Sequence, residues 1–336
     1  MLKLGGHAVA SRLHRVILVT WASGRSPQPC MEATLTYIYK GKEGNLLADN
    51  YRGISLLSVC SKVYTNVLID RLKPTIEPTL HEAQCGFRAS RGCADQLFTM
   101  RRICELSKAG RAPLFAAFVD HRKAFDSVNR EAMWTLMAAR GVDPHLVSLV
   151  KEMYRGCSGE VLVQGYRSRK FEMKTGVRQG CALSPLLFNL FMDHLVRSCF
   201  SLEDVQLGLP IASDMNGLLN TPANPRSHPQ ATTHYITFLL YADDLVLLSY
   251  SKDGLTSLLK SLETTSRTWG MSINYKKTKA MHIHPLSSSP SHPTPTPIAL
   301  NGGSIDFVAS FMYLGNLFTP DGDLQEEVKR RIARTR

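Results

Sequence analysis

Two apolar runs late in the chain, Ile236 to Leu240 and Leu245 to Leu248, flank the short tip Tyr241-Ala242-Asp243-Asp244. That pattern predicts strand, tight turn, strand, with two adjacent carboxylates at the tip of a hairpin. A third apolar run, Leu114 to Val119, leads straight into Asp120 and predicts another strand. Thr34 to Tyr39 alternates β-formers and reads as a strand entering a Lys-Gly-Lys loop, and Val161 to Met173 alternates like a hairpin.

Helical spacing is equally visible. Ser58 to Leu72 carries Val59, Val63, Val67 and Leu68 on one side with basic residues opposite, and Pro74 is expected to stop it. Asp95 to Leu106 predicts a further helix. Glu131 to Arg140 predicts one closed by Gly141, and Asp143-Pro144 opens the next as cap and first-turn proline, with Gly156 closing it. Pro185 to Phe200 sets Leu186, Leu187, Leu190, Phe191 and Leu195 on one face, and Lys252 to Gly270 is helical again. The first thirty residues suggest a short helix and a loop with a Ser-Pro-Gln-Pro turn at 26–29. Residues 203–233, rich in Asn, Pro, Gly and Ser, read as an inserted loop, and 285–297 as a polyproline-like linker. A charged helix is expected over Asp323 to Arg334. Strands and helices in this order predict an α+β fold, helices packed on one face of an antiparallel sheet.

With 336 residues, 44% hydrophobic and 20% charged, the chain is globular and long enough for two or three subdomains. Its net charge of +12 favours a polyanionic partner without specifying one. Eight scattered cysteines include no Cys-x-x-Cys pair and no zinc-ligand spacing, which suits reduced thiols inside a cell. No apolar run reaches membrane-span length, and Arg12 and His14 interrupt the N-terminal segment before it can serve as a signal sequence. An intracellular, soluble protein is expected.

An apolar strand delivering one Asp and a hairpin delivering two form the minimal scaffold of a two-metal nucleotidyl-transfer site. Here a resemblance enters. The stretch Asp120-His121-Arg122-Lys123-Ala124-Phe125-Asp126-Ser127-Val128, the block Arg178-Gln179-Gly180-Cys181-Ala182-Leu183-Ser184-Pro185 and the Tyr-Ala-Asp-Asp hairpin resemble the reverse transcriptase of non-LTR (LINE-like) retrotransposons. Asn50 to Leu57, Gln84 to Arg88, Gly270 to Lys279 and Tyr313-Leu314-Gly315 agree in the same order, so the resemblance runs from Tyr37 to Arg336. Ala182 departs from the proline common at that position. The Tyr-Arg-Gly-Ile-Ser-Leu-Leu block and the Lys123 to Val128 run set the chain apart from group II intron maturases, the closer rival.

The resemblance implies a right-hand polymerase fold and an RNA-directed DNA polymerase that adds dNTPs to a DNA primer on an RNA template. It implies two Mg²⁺ ions, with Mn²⁺ as the alternative, and a ribonucleoprotein in nucleus or cytoplasm. Asp120 and Asp243 are then metal ligands, Asp244 the third acid, either a weaker metal ligand or a field-setter, and the backbone carbonyl of His121 a further ligand. Asp126, six residues on, is expected to serve a turn or a helix cap. Phe125 becomes the floor beneath the incoming sugar, excluding a 2′-hydroxyl. Gln179 and Gly180 lie where template base and nucleotide meet, and Arg178 contacts template phosphate. Lys62, Arg71, Arg88 and Arg91 are candidates for triphosphate or template binding. In Asn274-Tyr275-Lys276-Lys277-Thr278-Lys279, either Lys277 or Lys279 is the proton donor to pyrophosphate.

The expected organisation is an upstream helical segment over 1–30, fingers and palm over 31–281, a linker over 282–303, and over 304–336 the palm end and start of a thumb. No endonuclease domain or Cys/His knuckle is visible, so the chain reads as a piece of a longer open reading frame or a decayed copy. A remnant that binds nucleic acid without turnover is the reading from another class.

Overall fold

Leu114 to Val119 forms a strand whose six residues are all buried, as its unbroken apolar sequence requires. In this computed structural model the described residues are 5–335, apart from 42–43, 45, 48–49, 111, 214–218, 221–231, 284–294 and 323. The chain divides into two units, residues 1–80 with 123–191, and residues 81–122 with 192–336.

In the first unit, α1 (Gly6–Ser23) is longer than the short helix expected, and Gly24 ends it in a left-handed conformation. The Ser-Pro-Gln-Pro turn leads into α2 (Gln28–Met31). β1 (Glu32–Tyr39) and β2 (Tyr51–Leu56) pair antiparallel, Thr34 opposite Leu56. In α3 (Val59–Ile76), the Ser58 side chain caps the helix by accepting the Ser61 N–H at 3.2 Å. Pro74 does not stop α3. Two residues from the end it removes a single carbonyl's partner, and the chain passes directly into a tight turn at Glu77–Thr79.

After α5 (Ala124–Ser127) come α6 (Arg130–Ala139), capped by Asn129, and α7 (Pro144–Tyr154), capped by Asp143. The alternating stretch becomes β4 (Ser158–Val163), β5 (Tyr166–Arg167) and β6 (Phe171–Glu172), both short strands returning on β4. β4 runs parallel to β1, which gives the order β2-β1-β4-β5. α8 (Ser184–Cys199) carries the chain onward. Its Phe188 and Val196 are as buried as the predicted face, so the buried surface is wider than one stripe, with Arg197 and Ser198 left exposed near its end.

The second unit contains α4 (Cys93–Ala109), β3 (Leu114–Val119), β10 (Phe238–Tyr241), β11 (Asp244–Ser249), α10 (Lys252–Thr268) and β12 (Lys279–Ile283). The four strands make an antiparallel sheet ordered β10-β11-β3-β12. Leu114, Ala116 and Phe118 point into one core with Met100 and Ile103 of α4, Val246, Leu248, Met281 and Ile283. Burying side chains of this size contributes roughly 1.5–3 kcal/mol each. α10 packs on β11 and β3.

Residues 203–233 are not simply a loop. α9 (Leu202–Val205) precedes β7 (Leu209–Ser213), β8 (Leu219–Asn220) and β9 (Thr232–Ile236), an antiparallel trio ordered β8-β7-β9. Leu209 and Ile211 are buried at alternate positions of β7, a period-two signal that the polar flanking composition concealed. Most of the 285–297 linker lies outside the described residues. β13 (Ile298–Leu300) with β14 (Gly303–Ile305), and β15 (Phe311–Tyr313) with β16 (Asn316–Phe318), form two hairpins. The charged helix is α11 (Gln325–Thr335).

Candidate active site

Asp120 follows the last residue of β3, where the sheet stops covering the backbone. Its N–H donates to Thr278 Oγ1 at 3.1 Å, and its carbonyl accepts the Asn274 N–H at 2.8 Å. The Asn274 amide donates to Asp120 Oδ2 at 2.9 Å, and Lys277 Nζ lies 3.6 Å from the same oxygen. One five-residue segment therefore holds backbone and carboxylate together. Both partners of the Lys277 ion pair are solvent-accessible, so it adds at most about 1 kcal/mol, and its effect is orientation. Lys279 Nζ sits instead 2.8 Å from Asp306 Oδ2, which separates the two candidate lysines. Sequence reasoning weighed only the lysines of this segment; Asn274 and Thr278 emerge as Asp120's partners once the strands pair.

β10 and β11 close with Tyr241 opposite Asp244, leaving Ala242 and Asp243 as the turn. Since Leu245 pairs with Val119 in the antiparallel β11–β3 ladder, the next step of that register sets Asp244 against Asp120. Burial, then the charges of Asp243 and Asp120, push the Asp244 carboxyl up to about 6. Like charges gathered at one turn create a field that a divalent ion would neutralise.

The His121 ring is buried against Ser266, its Nε2 3.4 Å from the hydroxyl, and burial lowers its pKa to about 4. At neutral pH it is an uncharged packing group. Its pairing with Ile273 uses the Arg122 and Asn274 N–H groups and the Asp120 and Ser272 carbonyls, so the ladder does not consume the His121 carbonyl.

Among the described residues no three Asp, Glu, His or Cys side chains already form a cation cage. Mg²⁺ does not need one. It binds through one or two carboxylates and completes its shell with phosphate and water, so this donor set fits the ion.

The Asp244 shift has a testable sign. A carboxyl raised from 3.8 to about 6 holds its proton more tightly in the folded state. Its stabilising contribution is complete below about pH 4 and is lost as pH rises through 6. In metal-free thermal melts, Asp244→Asn should therefore gain on the parent as pH passes from 5 to 7; a pH-independent difference would contradict the cluster.

Seven residues with an expected role belong to the first unit. Phe125 is half-buried and stacks flat on Phe188, ring centroids 4.0 Å apart and planes 8° apart. The Gln179 carbonyl accepts the Ser55 N–H at 2.7 Å, and its amide reaches Asp126 Oδ1 at 3.4 Å. Gly180 has φ of 105°, and a Cβ there would stand 2.6 Å from the Ser55 carbonyl oxygen, so only glycine fits. Asp126 takes part in a turn through its N–H and the Lys123 carbonyl, but the helix cap is Asn129, whose side chain accepts the Ala132 N–H. Desolvation raises the Asp126 carboxyl despite Gln179 and Lys123.

Arg178 is a correction. It is 3% exposed, donates to the Cys30 and Met153 carbonyls and lies over the Tyr154 ring, so its guanidinium is an internal brace with no free face for template phosphate. Lys62 and Arg71 are exposed on α3. In the second unit, Arg88 Nη1 donates to the His81 and Gln84 carbonyls at 3.0 and 3.1 Å, and Arg91 pairs with Glu82. Both arginines thus brace their own loop.

A family model described as reverse transcriptase (RNA-dependent DNA polymerase) matches residues 40–317. The chain is 30% identical over 261 residues to a Retrovirus-related Pol polyprotein from type-2 retrotransposable element R2DM of Drosophila melanogaster, covering 77% of this chain and 22% of that protein. It is 26% identical over 301 residues to the RNA-directed DNA polymerase from mobile element jockey of the same organism, covering 87% and 29%. It therefore spans well under half the length of these relatives. Apo telomerase from Candida Tropicalis shares the fold at a TM-score of 0.52 and 14% identity, over 94% of this chain and 52% of that one. Among the described residues, no helix is long and apolar enough to cross a membrane.

Proposed function

The chain belongs to the reverse transcriptase (RNA-dependent DNA polymerase) family, and from that premise we propose that it is the RNA-directed DNA polymerase of a non-LTR retrotransposon. Its substrates would be dNTPs, a DNA primer and an RNA template, handled in a ribonucleoprotein of nucleus or cytoplasm. The observation that carries the reading is the convergence of Asn274, Lys277 and Thr278 on Asp120, beside a turn whose Asp244 is raised by Asp120 and Asp243.

Asp120, Asp243 and the His121 carbonyl would hold two Mg²⁺ or Mn²⁺ ions, with Asp244 shaping the field. Bound there, such ions neutralise triphosphate charge and align the primer 3′-oxygen. The chain's own groups do the rest. Asn274 fixes the Asp120 rotamer, leaving its other oxygen free of that bond. Lys277, 3.6 Å from Asp120, would be the proton donor to departing pyrophosphate, since Lys279 is held by Asp306. Phe125, its ring fixed by Phe188, would wall off the ribose 2′-position, and Gln179-Gly180 would line the template–nucleotide junction. Lys62 and Arg71 remain open to a phosphate backbone. The functional division proposed keeps fingers and palm within 31–281 and the start of a thumb in 304–336.

Primer extension on an RNA template tests the reading through the two lysines. Removing a positioned general acid costs about 10²–10⁴-fold. Lys277→Ala should lose at least about 10²-fold in single-turnover rate, with the loss greatest at high pH where no other donor substitutes. Lys279→Ala should extend within about threefold of the parent. Equal losses from both would remove the assignment.

A further inference from the structure

We propose that Gln84 is a positioning residue for the metal-binding turn: its buried side-chain carbonyl holds Ala242, and thereby sets the cation affinity of Asp243 and Asp244. The proposal rests on the polymerase reading for its purpose, although its geometry stands alone.

Ala83 to Gly86 runs along the outer edge of β10. The Leu240 N–H donates to the Ala83 carbonyl at 3.1 Å, the Cys85 N–H donates to the Leu240 carbonyl at 2.9 Å, and Gln84 lies parallel to Leu240. Gln84 is fully buried. Its Oε1 accepts two backbone N–H groups, from Gly86 at 2.8 Å and from Ala242 at 3.1 Å. One oxygen therefore ties the loop to the turn.

The turn needs such a tie. Ala242 has φ of 56°, a left-handed backbone that residues with a Cβ adopt only when their surroundings impose it. Gly86 supplies the second half of the clamp. A Cβ on Gly86 would stand 2.3 Å from the Ala242 nitrogen, so the two backbones meet directly and only glycine permits the approach.

Residue chemistry explains the amide. Leucine would fill the same volume but orphan two buried N–H groups. Glutamate would supply the acceptor but bring another negative charge toward Asp243 and Asp244. Gln84 Nε2 has no hydrogen-bond partner among the described residues, so the oxygen alone makes the contacts that matter here. Neutral acceptor capacity at that depth is what the site uses, and it acts on the carboxylates only through Ala242.

The test compares Gln84→Leu, Gln84→Glu and the parent in two assays. The first is the melting-temperature shift induced by Mn²⁺ or Mg²⁺ without nucleic acid or nucleotide. The second is the Mg²⁺ concentration giving half-maximal primer extension. Losing a group that orients metal ligands typically costs 10–100-fold in metal affinity. Gln84→Leu should therefore need at least about tenfold more Mg²⁺ in both assays. Gln84→Glu retains the acceptor and should stay within about threefold of the parent's Mg²⁺ requirement, even if its melting temperature falls. If Gln84→Leu does not fold, Gln84→Met replaces it. A leucine or methionine variant with the parent's Mg²⁺ requirement would overturn the proposal, as would a glutamate variant that loses cation response as fully as leucine. A parent that shows the cation shift but no extension would instead remove the polymerase reading and leave the positioning role standing. No cation shift in the parent would overturn both.

Discussion

Asp243→Asn is expected to abolish primer extension, lowering the single-turnover rate by about 10³-fold or more, while leaving the fold intact. The magnitude follows from the several kcal/mol of charge stabilisation a metal centre supplies, at about 1.4 kcal/mol per factor of ten. Intact folding follows from this site's electrostatics. Asp243 is one of the two charges that raise Asp244, after burial. Neutralising it relieves repulsion in the metal-free protein, so the variant should melt no lower than the parent above pH 6. The joint outcome is diagnostic, since a substitution that inactivates by unfolding the chain would lower the melting temperature. Asp120→Asn should lose activity similarly; its backbone bond to Thr278 is untouched, and the Asn274 bond survives only where the new amide turns its oxygen toward Asn274. Differential scanning fluorimetry and rapid-quench extension on one preparation measure both. Extension by Asp243→Asn at the parent's rate would remove Asp243 from the metal site.

Phe125→Ala should open room for a 2′-hydroxyl. A pocket difference of small-group size is worth about 1–3 kcal/mol of discrimination. The dNTP-over-rNTP preference should therefore fall at least tenfold, about 1.4 kcal/mol, while dNTP extension survives at reduced rate. The flat stack on Phe188 makes the competing outcome concrete. If the ring serves only to cover Phe188, its removal costs stability, up to roughly 3–5 kcal/mol for a fully buried phenylalanine, and selectivity does not change. Phe125 is only half-buried, so the cost of removing it should fall below that figure. A melting temperature and an incorporation ratio from the same preparation separate the two, and an unstable variant that still rejects rNTPs would sink the sugar-gate role.

The β3 strand, the acidic hairpin and most helices were legible because their signals are local. Apolar runs of strand length, a proline after an aspartate, and glycines past helix ends each act within a few residues. Pro74 misled because the rule against helix prolines weakens at the last turn, where little hydrogen bonding remains to be lost. The β7–β9 trio hid because Leu209 and Ile211 alternate only briefly within a polar stretch. Arg178 misled for a different reason. Its charge argued for an anionic partner, but the folded chain supplies Cys30 and Met153 carbonyls and the Tyr154 face instead. Asn274, Thr278 and Gln84 act on Asp120 and Ala242, residues more than a hundred positions away in sequence. Such pairings exist only after the strands register, which is why the carboxylates could be named from sequence but not the groups that hold them.

Divalent-cation-dependent synthesis of DNA on an RNA template is the activity proposed for this chain. The most direct measurement is single-nucleotide incorporation under single-turnover conditions on a DNA primer annealed to RNA, with Mg²⁺ and with EDTA. The templated dNTP should be added with Mg²⁺, not with EDTA, and not by Asp243→Asn. Salt-sensitive binding of the hybrid with no incorporation at any Mg²⁺ or Mn²⁺ concentration would contradict it.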